Sequence, residues 1–141
     1  MESIKIQSGT IKLAINEDPD RIVSFNPTSV SFVERLQNLM SEVNKKEAIL
    51  SEKLKRASEI TDDNRRIKDT LSVYKELLDF TSGSVDDVFG KGTADVVLNG
   101  EDDLDLLFQF LEGVSLYVQE VRSRAVQKYI PKDHNKRKKH K

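Results

Sequence analysis

The sequence predicts a mainly α protein: a small N-terminal antiparallel β-sheet, then a helical hairpin and a long C-terminal helix. Three observations predict it. Residues 4–15 alternate in polarity, whereas from Phe32 to Leu78 apolar residues recur at helical spacing with no Gly or Pro to interrupt them. Acidic residues also gather where helices are expected to start, and Arg122, Arg124 and Lys128 gather where the last one ends, matching the helix dipole.

The chain opens with Ile4, Ile6, Ile11, Leu13 and Ile15 around Ser8-Gly9. A tight turn at Ser8-Gly9 would set Ile6 opposite Ile11 and Ile4 opposite Leu13, with all four on one face. Asn16-Glu-Asp-Pro-Asp20 reads as a turn by composition, and Val23 with Phe25 supplies a third short strand.

Asn26-Pro27 starts the first long helix, with Asn26 as cap, Pro27 at the first helical position and Phe25 placed to staple against Val30. Leu36, Val43, Leu50 and Ala57 then recur every seven residues, with Met40 and Leu54 beside them, a pattern that suits coiled-coil-like packing or an ordinary bundle helix. Thr61-Asp-Asp-Asn64 looks like a second helix start capped by Thr61, followed by a stripe of Ile67, Leu71, Tyr74 and Leu78. One continuous helix is the alternative, but from Pro27 to Phe80 it would run about 80 Å, too long for a compact domain of this size, so a hairpin is favoured. Thr81-Ser-Gly83 is expected to end that helix, and Ser84 to cap a short one through Phe89.

The last helix is expected over residues 101–130, stopped by Pro131. Leu104, Leu107, Phe108, Leu111, Val114, Val118, Val121 and Ala125 form its main stripe. Leu106, Phe110 and Tyr117 lie off that stripe and share another side, so this helix is expected either to be covered twice or to meet a partner there. Residues 1–131 therefore read as a single domain (sheet within 1–25, long helix or helical hairpin over 27–80, short helix 84–89, helix 101–130), and residues 132–141 as a disordered basic tail.

Composition bounds the function. Leu, Ile, Val and Phe make up 42 of the 141 residues, well above the roughly 20 % below which disorder is expected. No stretch approaches the run of about 18 apolar residues that a membrane helix needs, and the start Met1-Glu-Ser-Ile-Lys lacks a signal-peptide layout. With zero cysteines, this points to a cytosolic protein without disulfides or thiolate metal sites. The formal net charge of −1 hides an asymmetry: residues 132–141 hold six Lys or Arg against one Asp, leaving 17 basic and 23 acidic residues before them.

Catalytic constellations are weak. Asp62 with Asp63, Asp86 with Asp87, and the acids from Glu101 to Asp105 could be imagined as paired carboxylates or Mg²⁺ ligands, but each sits in an expected first helical turn, where acids belong anyway. His134 and His140 lie in the tail and build neither a triad nor a zinc site. Gly90-Lys-Gly-Thr93 departs from the nucleotide loop, because Lys91 precedes the second glycine and no strand leads in, so a structural turn with positive φ is expected. An enzyme is not expected, nor any cofactor or metal. The tail, through Lys136, Arg137, Lys138, Lys139 and Lys141, could neutralise phosphates in a salt-sensitive, sequence-independent way, although it carries no aromatic to stack on bases.

Val85-Asp-Asp-Val-Phe-Gly-Lys-Gly-Thr93, followed by the Leu104-centred helix, resembles small proteins encoded in the tail-morphogenesis regions of tailed bacteriophages and prophages of Gram-positive bacteria. The likeness covers residues 81 to 121 best and extends loosely to Phe25-Asn26-Pro27. It implies a tail-assembly-chaperone-like role in the bacterial host cytoplasm, coating the apolar tape-measure protein and recruiting tail tube protein. In that role Leu106, Phe110 and Tyr117, or the Leu36 to Leu54 face, would make the contact, with self-association as a further possibility and no membrane partner. The alternatives are a small nucleic-acid-binding phage protein acting through its tail and a structural component of the virion.

Overall fold

A computed structural model of the chain describes residues 1–128. Its elements are β1 (Ile11–Ile15), β2 (Asp18–Phe25), α1 (Val30–Ser58), α2 (Asp63–Phe89), α3 (Thr93–Leu98) and α4 (Leu104–Lys128). The fold class is the expected one, mainly helical with an N-terminal antiparallel pair of strands. The expected basic tail, and the end of the last helix at Pro131, lie outside the described residues.

The sheet uses a different turn from the one expected. β1 pairs with β2 so that Leu13 faces Val23 and Ile11 faces Phe25, and residues 1–10 form no strand. Asn16 (φ 52°) and Glu17 (φ 62°) make the connection, and two adjacent residues at positive φ are the hairpin geometry whose twist suits paired strands. Packing explains the choice: Val23 and Phe25 enter the core, while Ile4 and Ile6 remain 87 % exposed with nothing to cover them. Gly9 serves close approach instead of a turn, since a Cβ there would overlap Asn26 Oδ1 and Thr28 Oγ1.

The first helix is capped by Ser29, not Asn26. Ser29 Oγ accepts from the Phe32 amide at 3.3 Å, while Asn26 Oδ1 is already engaged by the amide and hydroxyl of Thr28. Pro27 is buried before the helix begins, and the partner of Phe25 is Phe32, stacked at 5.4 Å, in place of the exposed Val30. The seven-residue run holds: Leu36, Val43, Leu50 and Ala57 are all buried.

The chain turns back after Ser58, so residues 27–80 are not one helix. Asp62, one residue past the expected Thr61, caps α2 by accepting from the amides of Asn64 at 3.1 Å and Arg65 at 3.5 Å. α2 then runs unbroken through Thr81, Ser82 and Gly83, so the expected stop there and the separate helix 84–89 do not exist. Ser84 Oγ donates to the Phe80 carbonyl within the helix instead of capping a new one. Thr81 and Val85, fully buried, keep the helix packed on both sides of Gly83, which outweighs the roughly 1 kcal/mol that a helical glycine costs.

Gly90 (φ 114°) and Gly92 (φ 91°) then form the positive-φ turn that the sequence predicted. It leads into α3, which the sequence reading missed. Asp86 Oδ1 reaches across from α2 to accept from the Ala94 amide at 2.8 Å, and Arg21 of β2 donates to the carbonyls of Val96 at 3.1 Å and Val97 at 2.8 Å. Both ends of this short helix are thus held by side chains from other elements. α4 begins at Leu104, three residues later than expected, where Asp103 Oδ1 accepts from the Asp105 amide at 3.0 Å.

The core collects Val23, Phe25, Phe32, Leu36, Leu39 and Val43 with Val85, Ala94, Val97 and Leu98 around Leu107, Leu111, Val114 and Val118 of α4. Leu50, Ala57 and Leu77 are buried outside that cluster, within the α1–α2 hairpin. Lys46 and Lys53 of α1 both meet Glu76 of α2 across the hairpin, at 3.0 and 3.3 Å.

Candidate partner-binding surface

α2 carries two apolar stripes, and only one has a home. Leu77, Thr81 and Val85 are buried, whereas the stripe read from the sequence stands outward: Ile67 is 55 % exposed, Leu71 61 % and Tyr74 49 %. A helix has room for both because residues at i, i+4, i+7 and i+11 share one line on its surface, and α1 covers the neighbouring line. The stripe read from the sequence thus forms, but on the outward side of α2. Leu78 alone of that stripe is half-buried.

Where α4 starts, the exposed stripe becomes one wall of a groove of 760 Å³. Its apolar lining is Leu71, Tyr74 and Leu78 from α2 with Leu104 and Phe108 from α4, and its rim carries Asp79, Asp102, Asp103 and Asp105 against the single cation Lys75. Asp103 and Asp105 belong to the helix start, Asp105 Oδ2 also accepting from Gln109 Nε2 at 2.6 Å. The four carboxylates form no ion pair among the described residues. An open apolar channel with an acid rim is suited to holding a protein segment.

Leu106, Phe110 and Tyr117 are brought together as expected, but against the protein itself. They line a 330 Å³ cavity with Leu13, Ile15 and Val23 of the sheet, and all three are half-buried. Phe110 meets Phe89 edge-on at 5.0 Å and Tyr117 meets Phe25 at 6.1 Å, so an aromatic cluster already occupies much of their surface. The other surface suggested by the sequence, from Leu36 to Leu54, is closed: Leu36, Leu39, Val43 and Leu50 are buried. Lys136, Arg137, Lys138, Lys139 and Lys141 lie outside the described residues.

The remaining polar features are accounted for by folding. Asp62 caps α2 and Asp86 caps α3. Glu76 is held below the usual carboxylate range, first by its contact with Lys46 and then by that with Lys53. Among the described residues no three His, Asp or Glu side chains are grouped to hold a metal ion, and no helix is long and apolar enough to cross a membrane. Thr81 Oγ1 is the one buried side-chain oxygen among the described residues without a hydrogen-bond partner.

The groove was only half legible in the sequence. The stripe on α2 was visible, but spacing alone does not say which line of the helix faces α1, and the acids from Glu101 to Asp105 read only as a helix start. One family model, described as a family of unknown function (DUF6673), matches residues 20–141, a span that includes every residue of the groove. No curated protein and no solved structure matches the chain.

Proposed function

The chain belongs to this family of unknown function, and we propose that it acts in bacteriophage tail morphogenesis as a tail-assembly-chaperone-like protein. In this reading it works in the bacterial host cytoplasm, binding the tape-measure protein and tail tube subunits through apolar helix faces, without catalysis. Two lines support it: the resemblance carried by residues 85–93, and the outward stripe of Ile67, Leu71 and Tyr74 beside Leu104 and Phe108. The stripe is the observation that carries the reading. A soluble domain rarely leaves three large apolar residues in one line over the wall of a groove unless another chain covers them, and a long helical client can lay its own apolar stripe into such a channel. The contact thus shifts from Leu106, Phe110 and Tyr117, which the fold already uses, to the α2–α4 groove.

Co-expression with a tape-measure protein tests the proposal. The wild type should keep that client soluble and co-purify with it, and the double variant Leu71→Ser/Tyr74→Ser should fold but lose it. If the wild type ignores the client and instead binds duplex DNA with a steep salt dependence, the chaperone reading is overturned.

A further inference from the structure

The groove and the C-terminal run are complementary in two respects. The rim sets four aspartates against Lys75, and of the four only Asp102, Asp103 and Asp105 are explained by a helix start; Asp79 lies in the interior of α2. Beyond Lys128 the sequence reads Tyr129-Ile130-Pro131, two large apolar residues, and then Lys132, Lys136, Arg137, Lys138, Lys139 and Lys141 with one acid. We propose that the segment 129–141 of a second copy of this chain occupies the groove, its apolar residues against Leu71, Tyr74, Leu104 and Phe108 and its cations along the aspartate rim.

Geometry assigns the segment to a second copy. α4 carries the chain from Leu104, at the groove, to Lys128, which is about 36 Å away at 1.5 Å per residue. Lys136 follows Lys128 by eight residues, a reach of about 27 Å even fully extended, so the front of the basic run falls short of its own groove and only its last residues approach it. A neighbour's segment has no such limit. Passed on head to tail, one copy's segment in the next copy's groove builds a ring or an open chain of copies; exchanged both ways between two copies, it builds a two-fold pair. It rests on the proposed function only in that the same groove is the client surface, which the segment would hold until a client displaces it.

The test needs no client, so its failure is separate from a failure of client binding. Sedimentation velocity is measured on three full-length proteins: wild type, a segment variant (Lys136→Ser, Arg137→Ser, Lys138→Ser and Lys139→Ser together) and a groove variant (Leu71→Ser/Tyr74→Ser). A second groove variant, Asp79→Lys/Asp102→Lys, leaves the apolar side chains in place and serves if the first fails to fold, as judged by its helical circular dichroism. Wild type should be larger than a monomer at about 0.01 M salt and monomeric at about 1 M, where the screening length falls from about 30 to about 3 Å. Each variant alone should be monomeric at low salt. Mixed, they should re-form a one-to-one pair, because one still offers a groove and the other still offers a segment. A wild type that is monomeric at low salt, variants that associate as the wild type does, or a mixture that stays monomeric overturns the proposal.

Discussion

Phe110 of α4 meets Phe89, the last residue of α2, edge-on with ring centroids 5.0 Å apart. Phe89 in turn contacts Phe25 at 5.8 Å and Phe32 at 5.5 Å, so the ring of Phe110 closes a cluster that joins the sheet, both hairpin helices and α4. Phe110→Ala should therefore destabilise the protein by about 2 to 4 kcal/mol, the lower half of that range reflecting a side chain that is only half-buried. Urea denaturation measures it. A loss below about 0.5 kcal/mol, as at an ordinary surface position, would mean that Phe110 is free for a partner.

Leu71 and Leu77 are six residues apart on one helix and predict opposite outcomes. Leu71 is 61 % exposed and Leu77 is buried in the hairpin. Leu71→Ser should change stability by no more than about 0.5 kcal/mol, while Leu77→Ser should cost about 3 kcal/mol or more by leaving a cavity lined with an unpartnered hydroxyl. Thermal unfolding of the two variants side by side checks the assignment of the two stripes.

Arg21 predicts a local effect. Its guanidinium holds the carbonyls of Val96 and Val97 at the end of α3, where the helix itself supplies no donor for them. Arg21→Met keeps the aliphatic stem and removes both bonds, which should cost about 1 to 3 kcal/mol. Hydrogen exchange should show the amides of α3 opening first, with α1 and α2 unchanged.

Glu76 predicts a pH dependence. Lys46 and Lys53 lower its pKa from the ordinary 4.5, so the folded state favours the charged form. A carboxylate with a depressed folded pKa contributes stability above its unfolded pKa and loses it as the pH falls through the folded one. The gap between wild type and Glu76→Gln should be constant above about pH 5, shrink as the pH drops below 4.5, and close once the folded protein is protonated too. Because the group is exposed, added salt should narrow the gap at every pH. Denaturation midpoints between pH 7 and pH 2 measure it.

The helices were legible because their apolar spacing is regular; the seven-residue run from Leu36 to Ala57 and the α4 stripe both proved to be buried or half-buried. What misled was local. Gly83 looked like a helix end, yet a single glycine costs too little to break a helix fixed by Thr81 and Val85. Asn26-Pro27 looked like a helix start, but the asparagine side chain was claimed by Thr28. α3 has only six residues and is held by Asp86 and Arg21, which lie outside its own sequence, so no periodicity could announce it. The groove was hidden for a different reason: spacing identifies a stripe, but only the packing of α1 decides which of two stripes on α2 is left uncovered.

The most direct measurement uses the absence of cysteine from the sequence. Leu71→Cys places one thiol in the groove wall, and Val126→Cys places one on an exposed residue of α4 about 33 Å along that helix from Leu104. Maleimide labelling rates are compared for each folded variant alone, kept monomeric at about 1 M salt, and in complex with a tape-measure client under the same conditions. The client should slow labelling at position 71 at least about tenfold, a loss of open thiol equivalent to about 1.4 kcal/mol, and leave position 126 unchanged. A bound client that leaves position 71 as reactive as before would contradict the assignment of the α2–α4 groove as the partner surface.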